Sequence, residues 1–590
     1  MPRVPLHLVL NTFPAQNLFS FVLLLHPLWR VAIFTLLFLT FARLASRPTN
    51  QIFTHLESLF SQFARHSHLV LLSLFFGVIA IRLALLPLLH VPVPGIHDEF
   101  SYLLMGDTFA HGSLANRPHP MWLSFETFHV NWLPTYSSIY PPAQGAILAI
   151  GQLLGSPWIG VLLSTAAMCS AITRMLQAWM PSRWALLGGA IAAIKFGVAN
   201  YWMNSYWGGA AAAIGGALVL GAFGRIPRRS SAWHGGALLG LGVAILANSR
   251  PYEGMLFCIP AAAWIVWWLA RTNKIPSAHN AASSSARTKV LVSALIVLTA
   301  TAAFMGYYNW RLTGNALLMP HALRTRTYHS SALFLWEQSR PPLHYNNQQF
   351  EDFYNGWERE NYRRNWEDAW RVSVEKLDRS SHTFFWWGAI LLVPGLPFVL
   401  RDKKMRLLLA AVFIGALGIF AVIWSFAHYA APFTCVIIAL LVQSLRHLRA
   451  MTVGTFALGR WLSRAALLLL LIETGFYAAH HQCDPLAWTC QGDPSRAAIQ
   501  NRLSLEPGKH LIIVRYQPDH NIHDEWVYNG AEIDTAKVLW ARELDETQNN
   551  KLLAYFKDRT AWLVDPDNDN TEIVPYSPPE PPEPLAEERR

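Results

Sequence analysis

A nearly unbroken apolar run from Leu69 to Val91, LVLLSLFFGVIAIRLALLPLLHV, constrains the fold of this chain more than any other feature. A helix needs about 20 mostly apolar residues to cross a bilayer. Comparable segments recur along the chain. The candidate spans are 69–92, 157–178, 184–200, 208–223, 234–249, 255–270, 289–308, 384–400, 407–425, 430–445 and 463–479. The sequence predicts an α-helical polytopic membrane protein with about 11–12 transmembrane helices. The sequence does not decide whether the apolar stretch 18–44 also spans the membrane.

The composition supports a lipid environment. Of 590 residues, 53% are hydrophobic and 14% are charged, whereas soluble domains carry about 25% charged residues. The net charge of +10 does not indicate nucleic acid, because the basic residues are divided among short clusters between apolar runs. That distribution is typical of topology signals, and nucleic-acid binding is excluded as a function.

The basic clusters also predict an orientation. They occur in every second loop, and such loops face the cytoplasm. The remaining segments are then extracytoplasmic. These are 93–142, 201–207, 250–254, 309–383, 426–429 and 480–590.

The chain divides into four parts. Residues 1–67 form an N-terminal apolar and amphipathic segment, in which 50–66 has its apolar side chains at helical spacing, as in a helix lying on a membrane surface. Residues 68–480 form the transmembrane domain. Residues 481–576 are expected to be a soluble α/β domain, with strands at 510–516, 537–543 and 560–566, and 577–590 a disordered tail.

The cysteines agree with this orientation. Cys483 and Cys490 flank a polar turn after the last apolar run. On an extracytoplasmic, oxidising side this pair is expected to form a local disulfide.

The first long external loop, 93–142, carries the chemically most useful side chains. It opens on His97, Asp98 and Glu99, directly beyond the first span, where charge is costly unless it is solvated or functional. Asp98 and Glu99 are therefore the candidate catalytic residues. Candidate substrate contacts in the same loop are His97, Tyr102, Arg117 and His119. A solvated, ion-paired loop is the alternative, and the histidines do not have zinc-protease spacing.

The other external loops supply polar and cationic candidates. Asn204 lies among aromatic residues that are typical of an interface. Arg250 and Glu253 flank a turn at a membrane end, where an arginine can hold phosphate through two hydrogen bonds; a local ion pair is the alternative. Arg324 and Arg326 begin a loop of interleaved basic and aromatic residues, which suits a lipid-linked phosphate and a carbohydrate, or an ordinary membrane-surface loop.

The order of three motifs resembles the GT-C superfamily of polytopic glycosyltransferases, in particular the protein mannosyltransferase, aminoarabinose transferase and lipopolysaccharide glycosyltransferase branches. The motifs are His97-Asp98-Glu99, Tyr140-Pro141-Pro142 and the glycine-rich GALLGLGVAILANSRP from Gly236 to Pro251. The resemblance covers about residues 68–270.

This resemblance implies sugar transfer from a polyprenyl-phosphate-linked donor to a glycolipid, glycan or protein acceptor at the external face, expected in the bacterial inner membrane. Asp98 matches the family's catalytic carboxylate, the general base. The family's second acidic residue has no counterpart, since 201–207 contains no Asp or Glu. The cofactor is therefore left open between none and a divalent metal ion, for which Asp98 is the candidate ligand.

A transporter or flippase of lipid-linked sugars is the alternative function. Transporters carry charges within their spans and repeated halves. Arg82 and Lys195 are the candidates for such charges, and the sequence has no repeat. The glycosyltransferase is the preferred interpretation, and a non-catalytic scaffold is the third.

Overall fold

The structure is a computed structural model that describes residues 29, 31–43, 46–224, 226, 232–271, 279–361, 366–480, 492–568 and 571–577. Residues 1–28, the expected Cys483–Cys490 disulfide and all but the first residue of the expected disordered tail lie outside this part of the chain.

Helices dominate the described residues up to 480. Those before the long loop 314–365 are α1 (Val31–Arg43), α2 (Ser46–Phe63), α3 (Ser67–Ala84), α4 (His97–Ala110), α5 (Trp122–Phe125), α6 (Pro142–Leu153), α7 (Pro157–Trp179), α8 (Ser182–Gly197), α9 (Ala210–Phe223), α10 (Ala232–Ala247), α11 (Pro251–Arg271) and α12 (His279–Thr313). In and after that loop follow α13 (Pro320–Tyr328), α14 (Gln348–Phe350), α15 (Arg359–Asn361), α16 (Trp366–Phe384), α17 (Leu396–Arg401), α18 (Arg406–Ala421), α19 (Thr434–Arg449) and α20 (Leu458–Ala479). A π-helix, Glu351–Glu358, lies between α14 and α15, and 3-10 turns at Trp387–Gly395, Lys403–Met405 and Ala427–Phe433 precede α17, α18 and α19.

The chain is a polytopic α-helical membrane protein. Among the described residues, seven helices are long and apolar enough to cross a bilayer, or eight if the pair α16–α17, bent by 94°, is one span. The number expected from the sequence is larger because it includes shorter apolar helices such as α9 and α10. Each predicted span overlaps helix, but α3 ends at Ala84, short of the predicted end at 92, and the span predicted at 384–400 consists of the 3-10 turn Trp387–Gly395 followed by α17.

Glycines bring these shorter helices together, as small residues do in membranes. A Cβ on Gly242 of α10 would lie 2.8 Å from the carbonyl oxygen of Gly215 on α9. A Cβ on Gly236 would lie 2.2 Å from the carbonyl oxygen of Val290 on α12. The glycine-rich stretches therefore serve helix packing.

The amphipathic helix expected at 50–66 is present as α2. Its apolar face is uncovered, with Ile52 62% and Leu56 55% exposed, as expected of a helix whose partner is lipid. Its polar face is tied to the bundle, because Glu57 accepts hydrogen bonds from Arg449 and Arg464 at 2.5 and 3.0 Å.

The C-terminal part is the small α/β layer expected from the sequence. Its elements are α21 (Pro494–Leu505), β3 (Lys509–Val514), β4 (Val538–Arg542), α22 (Glu546–Tyr555), β5 (Arg559–Val564) and β6 (Val574–Pro575), while β1 (Val130–Asn131) and β2 (Ser137–Ser138) form a hairpin in loop 93–142. The strand order is β4-β3-β5-β6, parallel except for β6.

This α/β unit shares a hydrophobic core with loop 93–142. Phe125, Val130 and Trp132 of the loop pack with Leu511 and Leu539 of the sheet, all buried. Apolar burial stabilises by about 25 cal/mol per Å². The sheet and the loop therefore stabilise each other. The loop in turn supports the side chains at its N-terminal end.

Candidate functional site

Asp98 lies in the first turn of α4, where the helix emerges from the extended segment Pro92–Ile96. Ile96 has β-region dihedrals and α4 begins at the next residue. Carboxylates are favoured in a first turn, because the unpaired backbone N–H groups there carry partial positive charge. Asp98 keeps 21% of its side-chain surface exposed, so its carboxylate can reach a ligand.

Two loop residues hold the Asp98 carboxylate. The hydroxyl of Tyr140 donates a hydrogen bond to Oδ1 at 2.5 Å. Nε2 of His129 lies 3.9 Å from Oδ2. His129 has φ of 57°, a backbone conformation that non-glycine residues adopt rarely and that clusters at functional sites. Burial holds the pKa of His129 well below its usual value, so its ring is neutral beside Asp98.

Arg250 brings a positive charge to this carboxylate. It lies between α10 and α11 with its guanidinium 4.2 Å from the ring centre of Tyr429. Burial raises the pKa of Asp98, while the hydrogen bond from Tyr140 and the charge of Arg250 lower it. The site thus pairs a partly desolvated base with a cation that is permanently charged.

His321 of α13 also lies near Arg250. Burial lowers its pKa to about 4, and the charges of His329 and Arg250 contribute to this shift. Glu253, in the first turn of α11, is buried and interacts electrostatically with Arg250. The structure therefore brings together Asp98, Arg250 and Glu253, three residues that the sequence singled out.

Glu99, the neighbour of Asp98, faces the protein interior. It is completely buried, and its oxygens accept hydrogen bonds from the backbone N–H groups of Gly95 at 3.0 Å and Tyr206 at 2.9 Å. Burial raises its pKa to about 8. These contacts give Glu99 a positioning role, since it fastens loop 201–207 to the start of α4.

Loop 201–207 is interior, not an interface anchor. Trp202 and Trp207 are each 1% exposed, which corrects the interpretation of these aromatic residues as membrane anchors. Asn204 is held by its own loop, donating to Val198 and Asn200 at 2.8 and 2.9 Å and accepting from Arg82 at 2.9 Å. Both N–H donors of its amide are therefore occupied, and the side chain is buried.

Tyr102, one turn after Asp98, belongs to the wall of the site. It is buried and its ring stacks on that of Tyr140 at 4.3 Å. It therefore supports the tyrosine that holds the carboxylate.

His97 and His119 contact the α/β unit. Nδ1 of His97 is 2.8 Å from the hydroxyl of Tyr528, and its ring lies 6.2 Å from that of His523. The second His-Asp-Glu sequence, residues 523–525, thus packs against the first. His119 pairs with Asp534 at 3.1 Å and stacks on Phe556. The contacts of both histidines indicate attachment of this loop to the sheet.

The remaining predicted arginines do not join the Asp98 cluster. Arg324 is fully buried, donating to the carbonyl oxygen of Val130 and the hydroxyl of Tyr354, both at 2.8 Å. Arg117 and Arg326 are exposed on the surface. Arg324 therefore stabilises the hairpin between β1 and β2 rather than presenting its charge.

Sequence reasoning missed Tyr140, His129 and Tyr429 as site residues. Tyr140 begins the Tyr140-Pro141-Pro142 motif that precedes α6, so the sequence did contain a signal for this residue. His129 was one of four histidines in its loop, and nothing in the local sequence marks it. Tyr429 occupies a four-residue loop whose position opposite Arg250 depends on the packing of α18 and α19.

Within the described ranges, no group of three His, Cys, Asp or Glu side chains is arranged to hold a metal ion. The Asp98 carboxylate has the imidazole of His129 as a neighbour, at 3.9 Å. The residues of the Asp98 cluster thus come from both helices and loops of this integral membrane protein.

No family model matches the chain, and no curated protein matches it. The chain is similar to several solved structures, three of which are the following. The Archaeoglobus fulgidus oligosaccharyltransferase in the apo form has 10% identity and a TM-score of 0.43, covering 76% of this chain and 62% of its own. AglB from the same organism, in complex with an inhibitory peptide and a dolichol-phosphate, has 11% identity and a TM-score of 0.43, covering 84% and 69%.

ArnT from Cupriavidus metallidurans bound to undecaprenyl phosphate also has 11% identity and a TM-score of 0.43, covering 83% of this chain and 93% of its own. These proteins are membrane glycosyltransferases of the GT-C superfamily, which the sequence motifs resemble. The chain spans 62% of the length of the first oligosaccharyltransferase structure. Because every one of these TM-scores is below 0.5, the function has to be argued from the chain's own residues.

Proposed function

We propose that this protein is a membrane glycosyltransferase that moves a sugar from a polyprenyl-phosphate-linked donor to a hydroxyl or amide acceptor. The observation that carries the proposal is the meeting of Asp98, held by Tyr140, with the charge of Arg250. A partly buried carboxylate is a general base, and a fixed guanidinium is a phosphate ligand.

The chemistry assigns each group one task. Asp98 takes the proton from the acceptor as the acceptor atom bonds to the anomeric carbon. The bond between that carbon and the phosphate oxygen breaks, and Arg250 stabilises the negative charge left on the lipid phosphate. Tyr140 keeps the carboxylate oriented, and the neutral His129 packs beside it without adding a competing charge.

The donor class rests on the order of the sequence motifs, and the molecules held by the similar solved structures are consistent with it. The similar solved structures hold dolichol-phosphate in AglB and undecaprenyl phosphate in ArnT. The motif order resembles enzymes that use such donors. We further propose that the site and the α/β unit face the extracytoplasmic side of a bacterial inner membrane, as the basic loops predict.

A flippase is less well supported, because Arg82, Lys195 and Glu473, which are charged residues inside predicted spans, are engaged in structural contacts. Arg82 donates to the carbonyl oxygens of Leu89 and His90 at 2.7 and 2.9 Å. Lys195 pairs with Glu473 at 3.2 Å. A permeation path would need charges that face a cavity.

The test is transfer by purified protein in liposomes supplied with undecaprenyl-phosphate hexoses and total envelope glycans. The Asp98→Asn variant should lose about 10²–10⁴-fold in kcat while its thermal unfolding remains that of the wild type. Asp519→Asn, which changes an exposed carboxylate of the α/β unit, is the matched control. Transfer by Asp98→Asn at the control rate would refute the base assignment.

The sugar and the acceptor require a second measurement. Mass spectrometry of glycolipids, glycans and glycoproteins from cells with and without the gene should reveal one hexose- or pentose-sized difference. An unchanged set of glycoconjugates with a changed distribution of lipid-linked sugar across the membrane would support the flippase instead.

A further inference from the structure

A polar cleft of about 450 Å³ lies between residues 346–349, at the start of α14, and the α/β unit. On one side are four consecutive amides, Asn346-Asn347-Gln348-Gln349, and on the other are side chains from the ends of β3 and β4 and from α22. No residue of the Asp98 cluster lines it. The cleft is therefore a second concave surface, distinct from the proposed transfer site.

The amides of this cleft retain hydrogen-bonding capacity. Gln349 accepts from Arg542 at 2.7 Å, which leaves its NH₂ group available. Asn346 donates to Glu126, which leaves its carbonyl oxygen available. The side-chain amide of Gln548 makes no hydrogen bond to any described residue. Each amide offers donors and an acceptor side by side, the arrangement that matches adjacent hydroxyl groups of a sugar ring.

The two arginines that line the cleft are each paired with a carboxylate, and the further lining carboxylate, Asp545, caps the start of α22 by accepting from the backbone N–H of Gln548 at 2.9 Å. Arg515 forms a two-point ion pair with Glu543, at 2.5 and 2.7 Å. Arg542, 1% exposed, pairs with the buried Glu525 beneath the floor. Because each lining arginine already has its carboxylate, a phosphate or a uronic acid gains little here, and a neutral ligand is favoured.

Residues at the floor of the cleft also contact the loop segment that leads to the proposed transfer site. Arg542 donates to the backbone carbonyl of Glu126, and the Glu126 carboxylate accepts from Tyr328 at 2.7 Å and from Asn346. Three residues after Glu126, His129 lies against Asp98. A ligand in the cleft would therefore rest on the same segment that shapes the transfer site.

We propose that this cleft binds the neutral sugar units of an oligosaccharide, as a recognition site for a glycan acceptor. Only the statement that the bound glycan is an acceptor rests on the proposed transferase function. Binding of a neutral glycan in the cleft does not require transfer. The sugar head group of the lipid-linked donor has the same chemistry and is the alternative ligand. The experiment distinguishes the glycan from this head group.

The experiment measures binding by saturation-transfer NMR to full-length protein in nanodiscs, without donor. The probes are neutral hexasaccharides of glucose, mannose and N-acetylglucosamine, an oligogalacturonate, inorganic phosphate and an undecaprenyl-phosphate hexose. At least one neutral hexasaccharide should bind, and Gln548→Ala together with Gln349→Ala should weaken it at least tenfold. Asn550→Ala, an exposed amide on the same helix that does not line the cleft, should bind as the wild type does.

Several results would overturn the proposal. One is that no neutral hexasaccharide binds at millimolar concentration, and another is that oligogalacturonate or phosphate binds more strongly than the neutral hexasaccharides. A third is that Asn550→Ala weakens hexasaccharide binding as much as the cleft variants do. The fourth is that the cleft variants lose binding of the undecaprenyl-phosphate hexose only. In the transfer assay, the cleft variants should raise the acceptor KM with kcat unchanged, whereas Asp98→Asn lowers kcat. Glycan binding by a protein that transfers nothing would refute the transferase and leave the cleft assignment standing.

Discussion

The hydroxyl of Tyr140 donates a hydrogen bond of 2.5 Å to Oδ1 of Asp98, joining the start of α6 to the start of α4. This bond favours the charged carboxylate and opposes the effect of burial, which raises the pKa of Asp98. Tyr140→Phe should therefore raise that pKa further. The acidic limb of the kcat/KM profile against pH should move to higher pH, because more of the base is protonated at a given pH.

Tyr102→Phe is the control for this prediction. Tyr102 stacks on Tyr140 and is similarly buried, but its hydroxyl makes no hydrogen bond to Asp98. The acidic limb should stay in place in this variant. An equal shift in both variants would mean that ring packing, rather than the hydroxyl, sets the protonation of Asp98.

Arg250 presents its guanidinium over the ring of Tyr429, and a lysine cannot reproduce either the stacking or the two-point contact with phosphate. Arg250→Lys should lose about tenfold or more in kcat/KM for the lipid-linked donor, since a charged hydrogen bond contributes about 1.5–3 kcal/mol. Arg250→Gln should lose more. Binding of undecaprenyl phosphate to the purified protein should fall in parallel.

Arg326→Gln, which removes an exposed arginine of α13, should leave both donor binding and transfer unchanged. This pair of variants distinguishes a positioned cation from general attraction of the lipid phosphate by positive charge. A similar loss in the two variants would contradict the role assigned to Arg250.

The apolar pattern predicted the helices and the three parallel strands because each element carries a continuous apolar face, which either packs inside the protein or faces lipid. The run HLIIV becomes β3 with four fully buried side chains, Leu511 to Val514, and α2 keeps the exposed apolar face that its spacing indicated. The pattern could not predict that the sheet shares its core with loop 93–142, because that contact joins residues about 400 positions apart.

The site was predictable only in part, because adjacent letters do not reveal which way side chains point. Asp98 and Glu99 are neighbours, yet one remains accessible and the other is enclosed by the backbone of Tyr206. Arg250 and Arg324 both had the sequence context of a phosphate ligand. Packing against the Val130 carbonyl buries Arg324, whereas Arg250 retains its place beside Asp98.

Glu99 makes a measurable contribution to the pH dependence of stability. Its pKa is about 8 in the folded protein against 4.5 as the ordinary value. Between these pH values the folded state holds a proton that the unfolded state has released, so the free energy of unfolding decreases as pH rises. Glu99→Gln removes this titration, and its stability should vary less between pH 4.5 and pH 8.

The same variant should also be less stable at low pH. An amide NH₂ cannot accept from a backbone N–H, so one of the bonds from Gly95 and Tyr206 is lost, at about 1–3 kcal/mol. Glu532→Gln, at an exposed position, is the control. Thermal unfolding in detergent at several pH values measures both effects, and a pH dependence identical to that of the wild type would contradict the assignment.

The buried ion pair between Lys195 of α8 and Glu473 of α20 provides a test of the packing inside the membrane. Glu473 also accepts a hydrogen bond from the backbone N–H of Trp387 at 2.5 Å, and the nitrogen of Lys195 lies 3.2 Å from its other oxygen. Glu473→Gln leaves the lysine charge buried without its partner, so the protein should lose about 3–5 kcal/mol. The double variant Lys195→Met/Glu473→Gln removes both charges and should recover most of that loss, with transfer activity retained. Urea unfolding in detergent micelles, followed by tryptophan fluorescence, measures the recovery. If the free energy of unfolding lost in the double variant equals the sum of the losses in Lys195→Met and Glu473→Gln, the two charges do not stabilise each other. Loss of transfer in a stably folded double variant would show that the two charges act in the reaction.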